Sequence, residues 1–123
     1  MRTIYSLFLC LGLLTSCQDT PALQNFDAKL WQQDRLGCQG KREKLIESLA
    51  NQADKLKGLG QNQIIELLGK PDLQELHKRN QKFYLYFYKK GTQCDGQMSY
   101  PKGQAISIRF NALDRANEIV IGQ

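Results

Sequence analysis

Four cysteines, one histidine and a run of alternating tyrosines flanked by lysines are the side chains of this 123-residue sequence whose types could carry chemistry. The cysteines stand at positions 10, 17, 38 and 94, and the histidine is His77. A zinc site needs four ligands at short spacing, and His77 is far from every cysteine. His77 sits beside Lys78 and Arg79 with no nucleophile motif around it, so it reads as an exposed side chain. Neither a C-x-x-C redox pair, a Gly-rich phosphate loop, an H-E-x-x-H nor a G-x-S-x-G is present. The expectation is a protein without catalytic residues, metal or dissociable cofactor.

Cys17 is different because of what precedes it. Met1 and Arg2 give a short positive start, and residues 4–14 are eleven positions without a charge. That run is shorter than the roughly 20 residues a membrane-spanning helix needs, and it suits a cleaved export signal. It ends in Leu14-Thr15-Ser16-Cys17, which resembles the lipobox of bacterial lipoproteins. The resemblance implies a diacylglyceryl group on the Cys17 thiol and removal of residues 1–16. Cys10 follows the bulky Leu9, which leaves Cys17 as the acceptor. With ~0.8 kcal/mol per buried methylene, two or three acyl chains hold a protein on a bilayer without a transmembrane helix. The expected address is the cell envelope, with the outer membrane first and the inner membrane or cell surface as alternatives.

Removing the signal leaves Cys38 and Cys94 as an even pair in an oxidising compartment. A disulfide is the first reading, with two free thiols, or metal or redox chemistry, as alternatives. A bridge closing so long a loop stabilises a fold by roughly 4 kcal/mol in the chain-entropy description. Residues 17–24, polar and containing Pro21, read as the lipidated N-terminus and tether, and residues 25–123 as a single domain. Net charge after cleavage is a modest +4, from 16 basic and 12 acidic residues. Together with export, this argues against nucleic acid as a partner.

The charge is segregated. Between Leu76 and Leu113 there are seven basic residues against Asp95, whereas residues 17–75 are nearly balanced. Combined with Tyr84, Tyr86 and Tyr88, the cations Lys89, Lys90 and Arg109 form a possible surface for anionic headgroups or an acidic protein. The bland alternative is a solvated strand face whose lysines protect an edge. Trp31, with Asp34 and Arg35, offers either a ridge for a partner or a residue sealing the first helix onto the core.

These candidates need elements to position them. Asn25 is the expected cap of a first helix carrying Leu23, Phe26 and Leu30, stopping near Gly37. Leu45, Ile46, Leu49, Ala53 and Leu56 draw one apolar stripe on a second helix ended by Gly58. Gly60 opens a third, carrying Ile64, Ile65 and Leu68 and closed by Gly69 and Pro71. After Pro71 the period becomes two. Residues 82–90 alternate Phe83, Leu85 and Phe87 with Tyr84, Tyr86 and Tyr88, and residues 104–110 alternate again before a turn at 111–115 and a strand at 118–121. Residues 73–78 are an additional strand candidate. The fold class is therefore α+β: two or three N-terminal helices on one face of a three- or four-stranded antiparallel sheet.

Residues 60–72, ending Leu68-Gly69-Lys70-Pro71-Asp72, then Tyr84-Leu85-Tyr86 and 106–110, resemble the SmpA/OmlA (BamE-like) small outer-membrane lipoproteins. The resemblance spans residues 58–121. Cys38, Cys94 and the insertion at 91–103 depart from the pattern. It implies a membrane-anchored accessory in outer-membrane protein assembly or envelope maintenance, acting by binding another envelope protein. The alternative is a secreted-type inhibitor or small-ligand-binding module tethered to the envelope.

Overall fold

A computed structural model of the chain describes residues 19–98 and 103–122. Cys17 and residues 1–16 therefore lie outside the described residues. Three helices precede four strands: α1 (Ala28–Gln33), α2 (Lys41–Asn51), α3 (Gln61–Leu68), then β1 (Leu73–His77), β2 (Gln81–Phe87), β3 (Ala105–Phe110) and β4 (Ala116–Ile121). The strands form one antiparallel sheet in the order β1-β2-β3-β4, so the fold is α+β.

Local chemistry sets most boundaries. Asp27, not Asn25, caps α1, its carboxylate accepting the Leu30 N–H at 3.0 Å. α1 is short because Asp34 ends it and turns its side chain forward: Oδ1 accepts from Gln39 N at 2.7 Å and Oδ2 from Arg42 N at 3.0 Å. Gly40 precedes α2 and has no side chain for capping, so a carboxylate from six residues upstream does that work. The apolar stripe of α2 stops at Asn51 as an α-helix and continues in a 3-10 turn, Ala53–Leu56. Gly60 opens α3, where Gln63 Oε1 accepts its N–H at 3.0 Å, and Gly69, with φ 79°, ends it.

Leu49, Leu56, Ile64 and Leu68 pack with Trp31 against Tyr84, Tyr86, Tyr88, Ile106, Ile108 and Phe110 in one core. Period-two alternation therefore places the even-numbered side chains of β2 and β3 under the helices. The expected tether is fastened in part. Thr20 Oγ1 donates to Glu66 Oε2 at 2.7 Å, Leu23 packs against the core, and the Gln24 N–H reaches Gln52 Oε1 at 2.9 Å.

Candidate functional site

The strand register builds two rows on the sheet face turned away from the helices. Glu75, Phe83, Arg109 and Glu118 stand in one row, and Leu73, Leu85, Ser107 and Val120 in the next. Leu73, Phe83, Leu85 and Val120 are half-buried, so each presents apolar surface to solvent. Arg109 Nη2 meets Glu118 Oε2 at 2.8 Å, His77 Nε2 meets Glu75 Oε2 at 3.1 Å, and the His77 ring stands edge-on to Phe83 with centroids 4.6 Å apart. An Arg–Glu ion pair and a His–Glu contact thus border an apolar strip. Phe87 and Ala105, at the far end of the same face, are buried yet separate from the core under the helices.

The tyrosine surface drawn from the sequence is corrected here. Tyr84, Tyr86 and Tyr88 are 3, 0 and 7% exposed and belong to the core. Their hydroxyls are used internally, donating to Gln61 Oε1 at 2.7 Å, Gly69 O at 2.8 Å and Gln104 Oε1 at 3.2 Å. Burial raises all three phenol pKa values, most strongly that of Tyr86. The phenolic face wins the interior because each hydroxyl finds an acceptor there, while the ring supplies apolar area. Lys89 and Lys90 are exposed beyond the end of β2, Lys89 lying 4.0 Å from Glu43. Arg109 pairs in register with Phe83, six residues up β2 from Lys89, roughly 20 Å away at ~3.3 Å per residue. The three cations do not share one surface with the tyrosines.

Trp31 and Asp34 are both fully buried, which makes them core residues. They belong to a polar network that pattern reading passed over. Arg42, side chain 0% exposed, donates from Nη1 to Asp72 Oδ2 at 2.6 Å and to Phe87 O at 2.9 Å, and from Nε to Trp31 O at 2.8 Å. Asp72 Oδ2 accepts the Phe87 N–H at 2.8 Å, and Asp72 Oδ1 accepts from Leu36 N at 3.3 Å. The register of β1 on β2 runs only to Leu85, so this ion pair closes the edge of β2 at Phe87, where β1 no longer does. Arg42 Nη2 and Trp31 Nε1 have no hydrogen-bond partner among the described residues. The guanidinium carbon lies 5.0 Å from the Trp31 ring centroid and 6.0 Å from that of Tyr86, where aromatic faces attract its charge. The sequence signal was the density of Trp31, Asp34, Gly37, Cys38, Gly40 and Arg42 within twelve positions. Gly37 shows why: it has φ 67°, and a Cβ there would stand 2.7 Å from Phe87 O.

Cys38 and Cys94 are joined in a disulfide. The bridge ties the loop after α1 to the 3-10 turn Thr92–Asp95. Gln93, itself buried, donates to Leu36 O at 3.1 Å and Lys89 O at 2.8 Å and accepts from Gly103 N at 3.0 Å. Covalent and hydrogen-bonded clasps therefore hold the same junction.

Among the described residues no group of three His, Cys, Asp or Glu is placed to hold a metal, and no helix is long and apolar enough to cross a membrane. A groove of about 530 Å³ runs along α2, lined by Gln24, Asn25, Ser48 and Gln52 among others. Its Ser48 hydroxyl and Gln52 amide are occupied in seating the N-terminal segment, with Ser48 Oγ and Gln52 Nε2 both donating to Gln24 O. Comparison with known protein families, curated proteins and solved structures finds no match to this chain.

Proposed function

We propose that this chain is a lipid-anchored envelope lipoprotein that binds another envelope protein through the open face of its sheet, and that it performs no chemistry of its own. The observation that carries the reading is the open strip of Leu73, Phe83, Leu85 and Val120 bordered by Arg109–Glu118 and Glu75–His77. Apolar side chains left partly exposed on one sheet face favour a partner, and the flanking pairs give it register. Small-molecule sites are concave, and the groove along α2 is lined by none of these four residues. Attachment through Cys17 rests on the Leu14-Thr15-Ser16-Cys17 signal, and the accessory role on the BamE-like pattern of residues 58–121.

The test is retention of partners after crosslinking in intact cells, comparing the tagged parent with Phe83→Thr/Leu85→Thr. Threonine keeps strand preference while removing apolar area. Loss of most of a specific envelope protein supports the reading, and identical retention refutes the face. A separate arm addresses the anchor. Cys17→Ala should shift the protein out of the membrane fraction, and unchanged fractionation would refute the lipid.

A further inference from the structure

We infer that the two hairpin tips of the sheet form a bilayer-contacting surface that sets how the domain stands on an anionic membrane, an inference that rests on the lipid-anchored reading above. Leu76 and Leu113 are 72% and 80% exposed, the large hydrophobic side chains most given to solvent among the described residues. Leu76 pairs with Lys82 and Lys82 with Phe110, so the β1–β2 and β3–β4 tips lie side by side. A cleft of about 510 Å³ between them is lined by Leu76, Arg79, Asn80, Lys82 and Asp114 among others.

The exposure is built in. Asn111 Oδ1 accepts the N–H groups of both Leu113 and Arg115 at 3.0 Å, and the Asn111 N–H donates to Arg115 O at 2.9 Å, fixing the loop that projects Leu113. Lys78 and Arg79 are exposed and form no ion pair among the described residues. Lys82 Nζ points to a neutral partner, Gln61 Oε1, at 3.4 Å. Arg115 adds a fourth cation, its Nη1 lying 3.5 Å from Gly58 O, and Asp114 is the acid of the cleft. Glu75 and His77 engage each other on the open sheet face.

Two exposed aliphatic side chains on adjacent tips among lysines and arginines match an anionic bilayer interface. There the apolar ends enter the headgroup boundary and the cations stay with phosphate. A protein interface is the poorer fit, because its core is depleted in lysine. The fixed end of the chain agrees. Thr20 is held on Glu66 of α3, and α3 begins at Gln61, which receives Lys82 of the tips. Five helical residues rise about 8 Å. Cys17 is three residues before Thr20, a reach of at most ~11 Å, so a lipid there and the tips can meet one surface.

The test uses the full chain carrying Leu113→Trp, with 3:1 phosphatidylcholine–phosphatidylglycerol vesicles whose acyl chains are brominated. Trp31 is fully buried and supplies a shielded background. The expected result is quenching of the tip tryptophan that weakens in pure phosphatidylcholine and at high salt. A further Lys78→Gln/Arg79→Gly change should lower the engaged-to-free ratio roughly 25-fold, at about five-fold per cation. Glycine accepts the φ of 67° found at Arg79, so that variant folds without strain. Vesicle association with an unquenched tip overturns the inference and leaves the anchor standing. A parent chain that floats only on anionic vesicles, with its tip quenched there, keeps the tips and removes the anchor. A tip that crosslinks to a protein in cells but is never quenched overturns the bilayer contact in favour of a protein one.

Discussion

Asp72 holds the backbone N–H of Phe87 and the guanidinium of Arg42 on the same carboxylate oxygen, so one side chain both ends the sheet edge and neutralises a buried cation. Asp72→Asn keeps the size and removes the charge, leaving Arg42 uncompensated. Loss of one member of a buried pair costs about 3–5 kcal/mol, and urea unfolding should show a midpoint lowered accordingly. The buried tyrosines give a second expectation. An unfolded tyrosine ionises near the ordinary phenol value of 10.0, while burial holds the folded phenols higher. Above pH 10 the unfolded state therefore binds fewer protons, and stability falls as pH rises from there. Tyr86→Phe should flatten that alkaline loss while lowering stability near neutrality by about 1 kcal/mol through its lost bond to Gly69 O, as thermal melts across pH would record. Alternation of Tyr84, Tyr86 and Tyr88 with Phe83, Leu85 and Phe87 was legible, but which set faces inward was not. Both sets are aromatic or aliphatic, and a period of two fixes the division and not the choice.

The helices and strands divide by how local their determinants are. Gly60, Gly69 and Pro71 punctuate α3 within a turn of where they act, and the strand patterns of β2 and β3 are continuous, so these elements could be read directly. The first helix could not, because Asp34 ends it only by reaching Gln39 and Arg42 of the next segment. The Cys38–Cys94 clasp lies between these cases: the pairing was expected, whereas the buried Gln93 that doubles it has no sequence signature. Cys38→Ser should lower the melting temperature in non-reducing buffer, removing up to roughly 4 kcal/mol of stability in the chain-entropy description. Gln93→Leu leaves Leu36 O, Lys89 O and Gly103 N without that partner and should cost about 1–3 kcal/mol. Because both clasps hold one junction, the double variant should lose less or more than the sum, a coupling that a double-mutant cycle measures.

At the scale of the molecule, the helices cover one sheet face with the core and leave the other with an apolar strip flanked by the Arg109–Glu118 ion pair and the Glu75–His77 contact. The charge imbalance seen in the sequence resolves into separate places: Lys89 and Lys90 beyond β2, Arg109 tied to Glu118, and Lys78, Arg79 and Lys82 at the hairpin tips, with Lys102 outside the described residues. Linear charge counts could not distinguish these because the antiparallel sheet returns the chain on itself. Phe83→Thr/Leu85→Thr alters partly buried positions outside the helix-covered core, so it should change stability by less than the Asp72 change while removing partner retention. The most direct test of the open face as the binding surface is site-specific photocrosslinking in intact cells, with the crosslinker at Leu85 or, for comparison, at the exposed Glu47 of α2. A discrete protein adduct from Leu85 and none from Glu47 is the predicted result. Adducts from Glu47 alone would contradict it and move the contact to the helical side.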